Sequence, residues 1–318
     1  MSYLAKFGYN EAFFNELLSE VIITDPIMNQ YPLYQKALLD ILMSGGKRIR
    51  PLFVLLAADL NPNRDEKSCY LAAVAVELLH VSSLIHDDII DQSDSRHHVQ
   101  TLHQSFDMTT ALRLGNFTLN KSLELFSMFK HRQLHEEIAK TMNYLCLGEL
   151  NQLQDHFNFN LSVEDYIYKS YQKTGSLLSL SLIIGGFVAD LELSTIRQLS
   201  EIGSTIGVAY QLKDDILDFT SHRSHIGKPV GYDLRNGIIT LPTLFALDDD
   251  LLKEDLLSLE ADTETSKFDY ICDKIKESHH IYKANRLCLE YVTKSKELIE
   301  QLPVTESRLL QLLNLMFD

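Results

Sequence analysis

Apolar residues recur at helical spacing along most of this chain, and strict apolar–polar alternation bounded by tight turns is hard to find. A long apolar stretch, 71–85, carries few polar residues on any side. It predicts a helix over about 68–91 buried at the centre of a bundle. Pro26, Pro32, Pro51 and Pro62 come early and Pro229, Pro242 and Pro303 late. The proline-free tract between them is rich in Leu, Ala, Glu and Gln, which favours successive helices. The pattern predicts helices over 33–43, stopped by Ser44-Gly45-Gly46, and over 48–60, with Pro51 in the first turn. Further helices are expected over 109–129, 134–156 and 163–188. After a break at 190–193, Ser194 is expected to cap a helix reaching Phe219. The polar segment 221–237, with Gly227, Pro229, Gly231 and Gly237, reads as a long loop with a functional role. The expectation is an all-α fold in a single domain, 1–318, since nothing in the composition marks a linker.

Two of these helices end in the same acidic word. Asp87-Asp88-Ile89-Ile90-Asp91 and Asp214-Asp215-Ile216-Leu217-Asp218 both read D-D-aliphatic-aliphatic-D, each after an apolar stretch. On a helix, positions i and i+4 share a face with i+1 beside them, so each word presents clustered carboxylates. Like charges this close resist ionisation unless a cation joins them. A single acidic triplet is most simply a solvated helix end. Two of them, each closing an apolar helix, favour hard divalent cations. Mg²⁺ binds through one or two carboxylates plus phosphate oxygens and water, which points to a diphosphate as the shared anion.

Basic residues stand where such an anion needs them. Lys47, Arg48 and Arg50 gather at a helix start, with Lys47 and Arg50 on one face and backbone N–H groups nearby. Arg96 follows the first word and Lys228 the second. Lys173-Thr174 precedes Gly175, which permits a close backbone approach. His80 lies two helical turns before Asp87 on the same face. No Ser/His or Cys/His arrangement suggests a nucleophile.

Composition narrows the partners. Lys and Arg number 29 against 44 Asp and Glu, a net charge of −15, which argues against a nucleic-acid binder. Cys69, Cys146, Cys272 and Cys288 are scattered without a C-x-x-C pair, so a reduced, cytoplasmic protein without a disulfide or zinc framework is expected. The longest uncharged apolar stretch, 175–189, is too short to span a membrane and reads as a core helix, so no transmembrane segment is expected.

Several segments together carry a resemblance: Gly45-Gly46-Lys47-Arg48-Ile49-Arg50-Pro51, Leu84-Ile85-His86 with the first word, Gly148-Glu149 with Gln152, and Lys173-Thr174. Tyr210-Gln211-Leu212-Lys213 with the second word, the run from Gly227-Lys228-Pro229 to Arg235, and Thr240-Leu241-Pro242 continue it. In this order, over roughly 40–245, the chain resembles the trans-isoprenyl diphosphate synthases, the polyprenyl synthetase family. The resemblance implies an all-α isoprenoid-synthase bundle of many helices around a central cavity. It implies a prenyltransferase of isoprenoid biosynthesis that condenses an allylic diphosphate with isopentenyl diphosphate into a trans-polyprenyl diphosphate. By the same resemblance, Asp87, Asp91 and Asp214 are the principal ligands of three Mg²⁺ ions, supported by Asp88, Asp215 and Asp218. Arg96, Lys173 and Lys228 grip the allylic diphosphate, and Lys47, Arg50 and His80 grip isopentenyl diphosphate. Gln211 and the Lys173-Thr174 backbone face the allylic cation. A dimer is implied, of two copies or of two different chains.

The departures from the family pattern fall after the first word. His97 stands where the family places a second arginine on isopentenyl diphosphate, and neutral imidazole is the poorer anion partner. Asn116 replaces an aspartate and Ile238 a lysine, and the C-terminus lacks a basic residue that many relatives carry. Ser82 and Ser83 stand near the position where short-chain relatives place an aromatic floor, so a geranylgeranyl or longer product is expected. Two alternatives compete: a head-to-head condensing enzyme or terpene cyclase of the same fold, and a non-catalytic or partner-dependent subunit of a heteromeric synthase.

Overall fold

The structure, a computed structural model, describes residues 2–96, 99–220, 229–302 and 307–317. The described residues are mostly helical. The only strands among them are the two-residue antiparallel pair Ser95–Arg96 and Val99–Gln100. The chain forms two compact units, one from Met1–Glu136 and Ser181–Leu199, the other from Glu137–Leu180 and Ser200–Asp318. No proline- or glycine-rich linker stands at any of these boundaries, which is why the composition does not betray them.

In the first unit the expected central helix runs over Glu66–Ile90. Asp65 starts it by accepting a hydrogen bond from the Ser68 N–H at 3.0 Å. Apolar side chains from Cys69 to Ile85 are buried on all faces of this helix. It is the one helix among the described residues long and apolar enough to cross a bilayer, but 72% of that window is buried in the protein, as befits a core helix. The sequence pointed instead to 175–189 as the longest apolar stretch. The Glu66–Ile90 helix packs on Ile49–Ala58 and on Met108–Phe126.

Small residues make the seam with Met108–Phe126. Ser122 Oγ donates to the Ala75 carbonyl at 2.7 Å and Ser82 Oγ to the Gly115 carbonyl at 3.0 Å. A Cβ on Gly115 would fall 2.8 Å from His86 Cε1, so any larger residue there would displace the His86 ring. Burying side chains of this kind contributes about 25 cal/mol for each Å² of apolar surface removed from water.

The second unit uses glycine in the same way. A Cβ on Gly203 would fall 2.5 Å from Ser179 Cα, and one on Gly207 would overlap Gly175 Cα. The segment around Gly175 and the Leu193–Thr220 helix therefore meet backbone to backbone. Lys213 Nζ donates to the Met316 carbonyl at 2.9 Å, near the end of the Ser307–Phe317 helix, where unsatisfied carbonyls favour a cation.

Three expectations are corrected. The segment 163–188 is not one helix: Val163–Ser170 gives way to a π turn, Tyr171–Gly175, before Ser176–Val188 resumes. A π turn inserts a residue without changing the apolar composition, so a 3.6-residue pattern passes over it. Ser194 does not cap the next helix, which already starts at Leu193; the break is made by Asp190 at φ 52°, with the Leu191 N–H closing on the Gly186 carbonyl at 2.9 Å. The helix expected over 48–60 is Ile49–Ala58, and Arg48 lies outside it in the left-handed region, at φ 54°.

Candidate active site

The first acidic word forms the last turn of the Glu66–Ile90 helix. Asp91 is its C-cap, and Gln92 follows at φ 50° while the Ser93 N–H closes on the Asp88 carbonyl at 3.0 Å. This left-handed closure stops the helix at the third aspartate. Asp87 is half-buried and Asp91 exposed. Asp88 is 6% exposed and turned onto Arg96. Arg96 Nε donates to its two oxygens at 3.0 and 3.1 Å, and Nη2 donates at 2.7 Å. The guanidinium fork neutralises a carboxylate that burial would otherwise penalise. Arg96 belongs to the short strand pair, so the pair fixes it beside the word. His97 lies outside the described residues.

Of the three cations grouped at the start of Ile49–Ala58, one faces inward. Arg48 is 8% exposed and is bound to the Glu77 carboxylate and the Leu42 carbonyl. Its left-handed backbone turns the chain so that its two neighbours diverge from it. Lys47 is exposed, and Arg50 reaches His80, with Nη1 2.8 Å from Nε2. Arginine has no acceptor, so Nε2 accepts and His80 holds Arg50 as a neutral ring. The structure thus brings Arg50 and His80 together. Ser82 is buried on the seam with Gly115, and Ser83 Oγ donates to the His80 carbonyl at 2.8 Å.

In the second unit the word lies within the last two turns of Leu193–Thr220. Asp214 is exposed and Asp215 is 3% exposed. Asp215 accepts from Tyr166 OH at 2.5 Å and from Gln211 Nε2 at 2.7 Å. Burial first, then the nearby Asp233 carboxylate, push the Asp215 carboxyl up to about 8 against the pull of these two hydrogen bonds. Burial, then Asp215, likewise hold the Tyr166 hydroxyl well above its ordinary value. Asp218 accepts from the backbone N–H groups of Tyr232 and Asp233, each at 3.1 Å, and so fastens that backbone to the Leu193–Thr220 helix. Lys228 lies outside the described residues.

The π turn presents Lys173 and Thr174. Lys173 Nζ lies 2.9 Å from Gln152 Oε1 and 3.2 Å from Glu149 Oε1. Gly148 makes this approach workable, because a Cβ there would press on Gln172 Cβ at 3.3 Å. Thr174 Oγ1 donates to Gln211 Oε1 at 2.6 Å. Sequence reasoning missed Tyr166, Asp233 and the Arg48–Glu77 pair as parts of this machinery. Tyr166 lies 49 residues from Asp215 and gives no local signal, whereas a buried glutamate in an apolar helix calls for a cation and marks Glu77.

The polyprenyl synthetase model matches residues 31–275. The chain belongs to the polyprenyl synthetase family. It is 33% identical to heptaprenyl diphosphate synthase component 2 of Geobacillus stearothermophilus over 89% of this chain and 88% of that protein. The crystal structure of heptaprenyl diphosphate synthase from Staphylococcus aureus superposes with a TM-score of 0.90 at 35% identity, covering 96% of both chains. Polyprenyl synthase from Caulobacter crescentus, complexed with calcium and isoprenyl diphosphate, superposes at 0.83 with 27% identity, over 93% of this chain and 89% of that one. The chain is thus an all-α prenyltransferase, as its motifs implied.

The donor set fits a hard cation. Asp87, Asp91 and Asp214 offer carboxylate oxygens only, with two of them one helical turn apart. Among the described residues no three His, Cys, Asp or Glu side chains already form a cage. Mg²⁺ needs only one or two such carboxylates, because it completes its shell with water and phosphate oxygens.

Proposed function

We propose that this chain condenses an allylic diphosphate with isopentenyl diphosphate to give a trans-polyprenyl diphosphate of geranylgeranyl length or longer. The observation that carries this reading is the pair of intact acidic words, each with its middle aspartate fixed by protein donors, in a chain of this family. Asp87, Asp91 and Asp214 are the ligands of Mg²⁺, three ions in this reading. When bound, those ions supply positive charge to the leaving diphosphate.

The side chains divide the rest of the work. Asp88, Asp215 and Asp218 position the ligands through Arg96, Tyr166 with Gln211, and the 232–233 backbone. Arg96, Lys173 and Lys228 hold the allylic diphosphate, so that charge developing as its C1–O bond breaks meets cations already in place. Lys47, Arg50, His80 and His97 hold isopentenyl diphosphate, whose double bond attacks the allylic cation before a proton is lost. Thr174 and Gln211 face that cation.

Purified protein with Mg²⁺, isopentenyl diphosphate and a farnesyl or geranylgeranyl starter should release diphosphate and yield an elongated prenyl diphosphate, read by chromatography. No elongation with any starter overturns the reading. Ser82→Phe should shorten the product. Because Ser82 lies against Gly115, the ring must also push on the Met108–Phe126 helix and lower the melting temperature. An unchanged product ladder removes Ser82 as the floor.

A second reading is favoured by two observations: the Geobacillus relative is named a component, and His97 replaces an arginine. In it the chain elongates only with a partner subunit. Activity that appears on adding a partner and is absent without one separates the two readings. All four cysteines are free thiols, three of them buried, which supports a reducing compartment such as the cytoplasm.

A further inference from the structure

Tyr166 belongs to no sequence motif above, yet it ends a buried chain of polar groups that leads to Thr174. Its hydroxyl lies 2.5 Å from Asp215 Oδ2. Asp215 Oδ1 accepts from Gln211 Nε2 at 2.7 Å, and Gln211 Oε1 accepts from Thr174 Oγ1 at 2.6 Å. Tyr166, Thr174 and Asp215 are each less than 9% exposed and Gln211 is half-buried, so water competes only weakly for these bonds. The overlap that a Cβ on Gly207 would make with Gly175 shows how closely the π turn is seated on the helix carrying Gln211 and Asp215.

Each link fixes the polarity of the next. Asp215 Oδ1 accepts from Gln211 Nε2, and Oδ2 accepts from the Tyr166 hydroxyl. The Gln211 amide must therefore turn its NH₂ toward Asp215 and its carbonyl toward Thr174. The Thr174 hydroxyl then has its single proton committed to Gln211. Its remaining lone pairs are left to face outward, presenting the negative end of a dipole with no proton to donate. Tyr166 holds the other side of the Asp215 carboxyl and keeps it from rotating.

We propose that Tyr166 is a positioning residue for the reaction: through Asp215 and Gln211 it fixes Thr174 with its oxygen lone pairs toward positive charge at the allylic carbon. This rests on the prenyl-transfer reading of the site. A hydroxyl free to rotate would present its proton half the time, and a preoriented dipole in a water-poor site stabilises charge far better than a mobile one.

The test uses Tyr166→Phe, which removes one oxygen and keeps the ring in the core. In steady-state assays with both diphosphates, kcat should fall about tenfold, the effect of one lost hydrogen bond, while both KM values stay within twofold. Tyr166→Phe combined with Gln211→Leu should be no slower than Gln211→Leu alone, because both act through one chain.

A binding measurement needs no turnover. With Mg²⁺ and inorganic diphosphate present, calorimetry compares an ammonium analogue of the allylic cation with its uncharged carbon isostere. The wild type should prefer the ammonium, and Tyr166→Phe should lose most of that preference while binding the isostere unchanged. An unaltered kcat in an active enzyme, additive losses in the double variant, no ammonium preference in the wild type, or a preference that survives Tyr166→Phe would each overturn the proposal. A wild type that makes no product but shows the Tyr166-dependent preference would overturn the prenyl-transfer reading and leave the relay standing.

Discussion

The first acidic word closes a helix, and the second lies inside one. In the first, the backbone turns left-handed at Gln92 directly after Asp91. In the second, the helix continues past Asp218 to Thr220, and Asp218 spends its oxygens on the 232–233 backbone. Both words bury their middle aspartate, but they satisfy it by different chemistry. Asp88 takes a guanidinium from eight residues further along the chain. Asp215 takes two neutral donors, one from its own helix and one from a different helix. A buried carboxylate must find donors, and the five-letter word does not say which. The neutral solution leaves Asp215 with its carboxyl pushed up to about 8, whereas the first word brings its own counter-charge.

The comparison breaks most visibly if the outer aspartates are unequal. On the proposed reading, Asp87→Ala and Asp214→Ala should each cut condensation by about 1,000-fold or more, with folding retained by circular dichroism, because each would remove a cation ligand rather than a packing group. A variant with near-normal turnover would exclude its word from metal binding.

Arg96→Met probes the charged solution. It strands Asp88 in the core and should lower stability by about 2 kcal/mol, less than a fully buried pair would lose because Arg96 is one-third exposed. Denaturant unfolding reads this, and adding Asp88→Asn should recover part of the loss. If Arg96→Met leaves stability unchanged, Arg96 acts on substrate alone, and the contrast with Tyr166 fails.

The smallest effect belongs to the turn that separates the two words. Gln92→Gly should raise stability by about 0.5–1 kcal/mol, since glycine adopts positive φ without a Cβ penalty. A loss instead would mean that the Gln92 side chain contributes more than its backbone strain costs.

Much of this was legible in the sequence because it depends on local rules. The central helix follows from an unbroken apolar run, and the placement of Asp87 with Asp91 follows from a period of 3.6. The resemblance gives Arg50 and His80 one shared role, and the structure sets them 2.8 Å apart. The errors also have physical causes. Arg48 was grouped with its cationic neighbours because sequence gives charge, not direction; a positive φ sends it to Glu77. Ser194 has the right chemistry for a cap, but Asp190 had already ended the preceding helix. The π turn leaves no trace in composition, because inserting one residue changes geometry and not hydrophobicity.

By itself, the sequence determined the helical class, the carboxylate spacing, the cation complement and the family, since each rests on residue type and short-range periodicity. The tertiary structure decided which carboxylates are buried and what holds them. It sends Asp88 to Arg96 and Asp215 to Tyr166, and it ties Thr174 to Gln211. Satisfying a buried polar group is a long-range problem: donor and acceptor must be brought within about 3 Å by the packing of whole helices, and no spacing along the chain encodes that meeting.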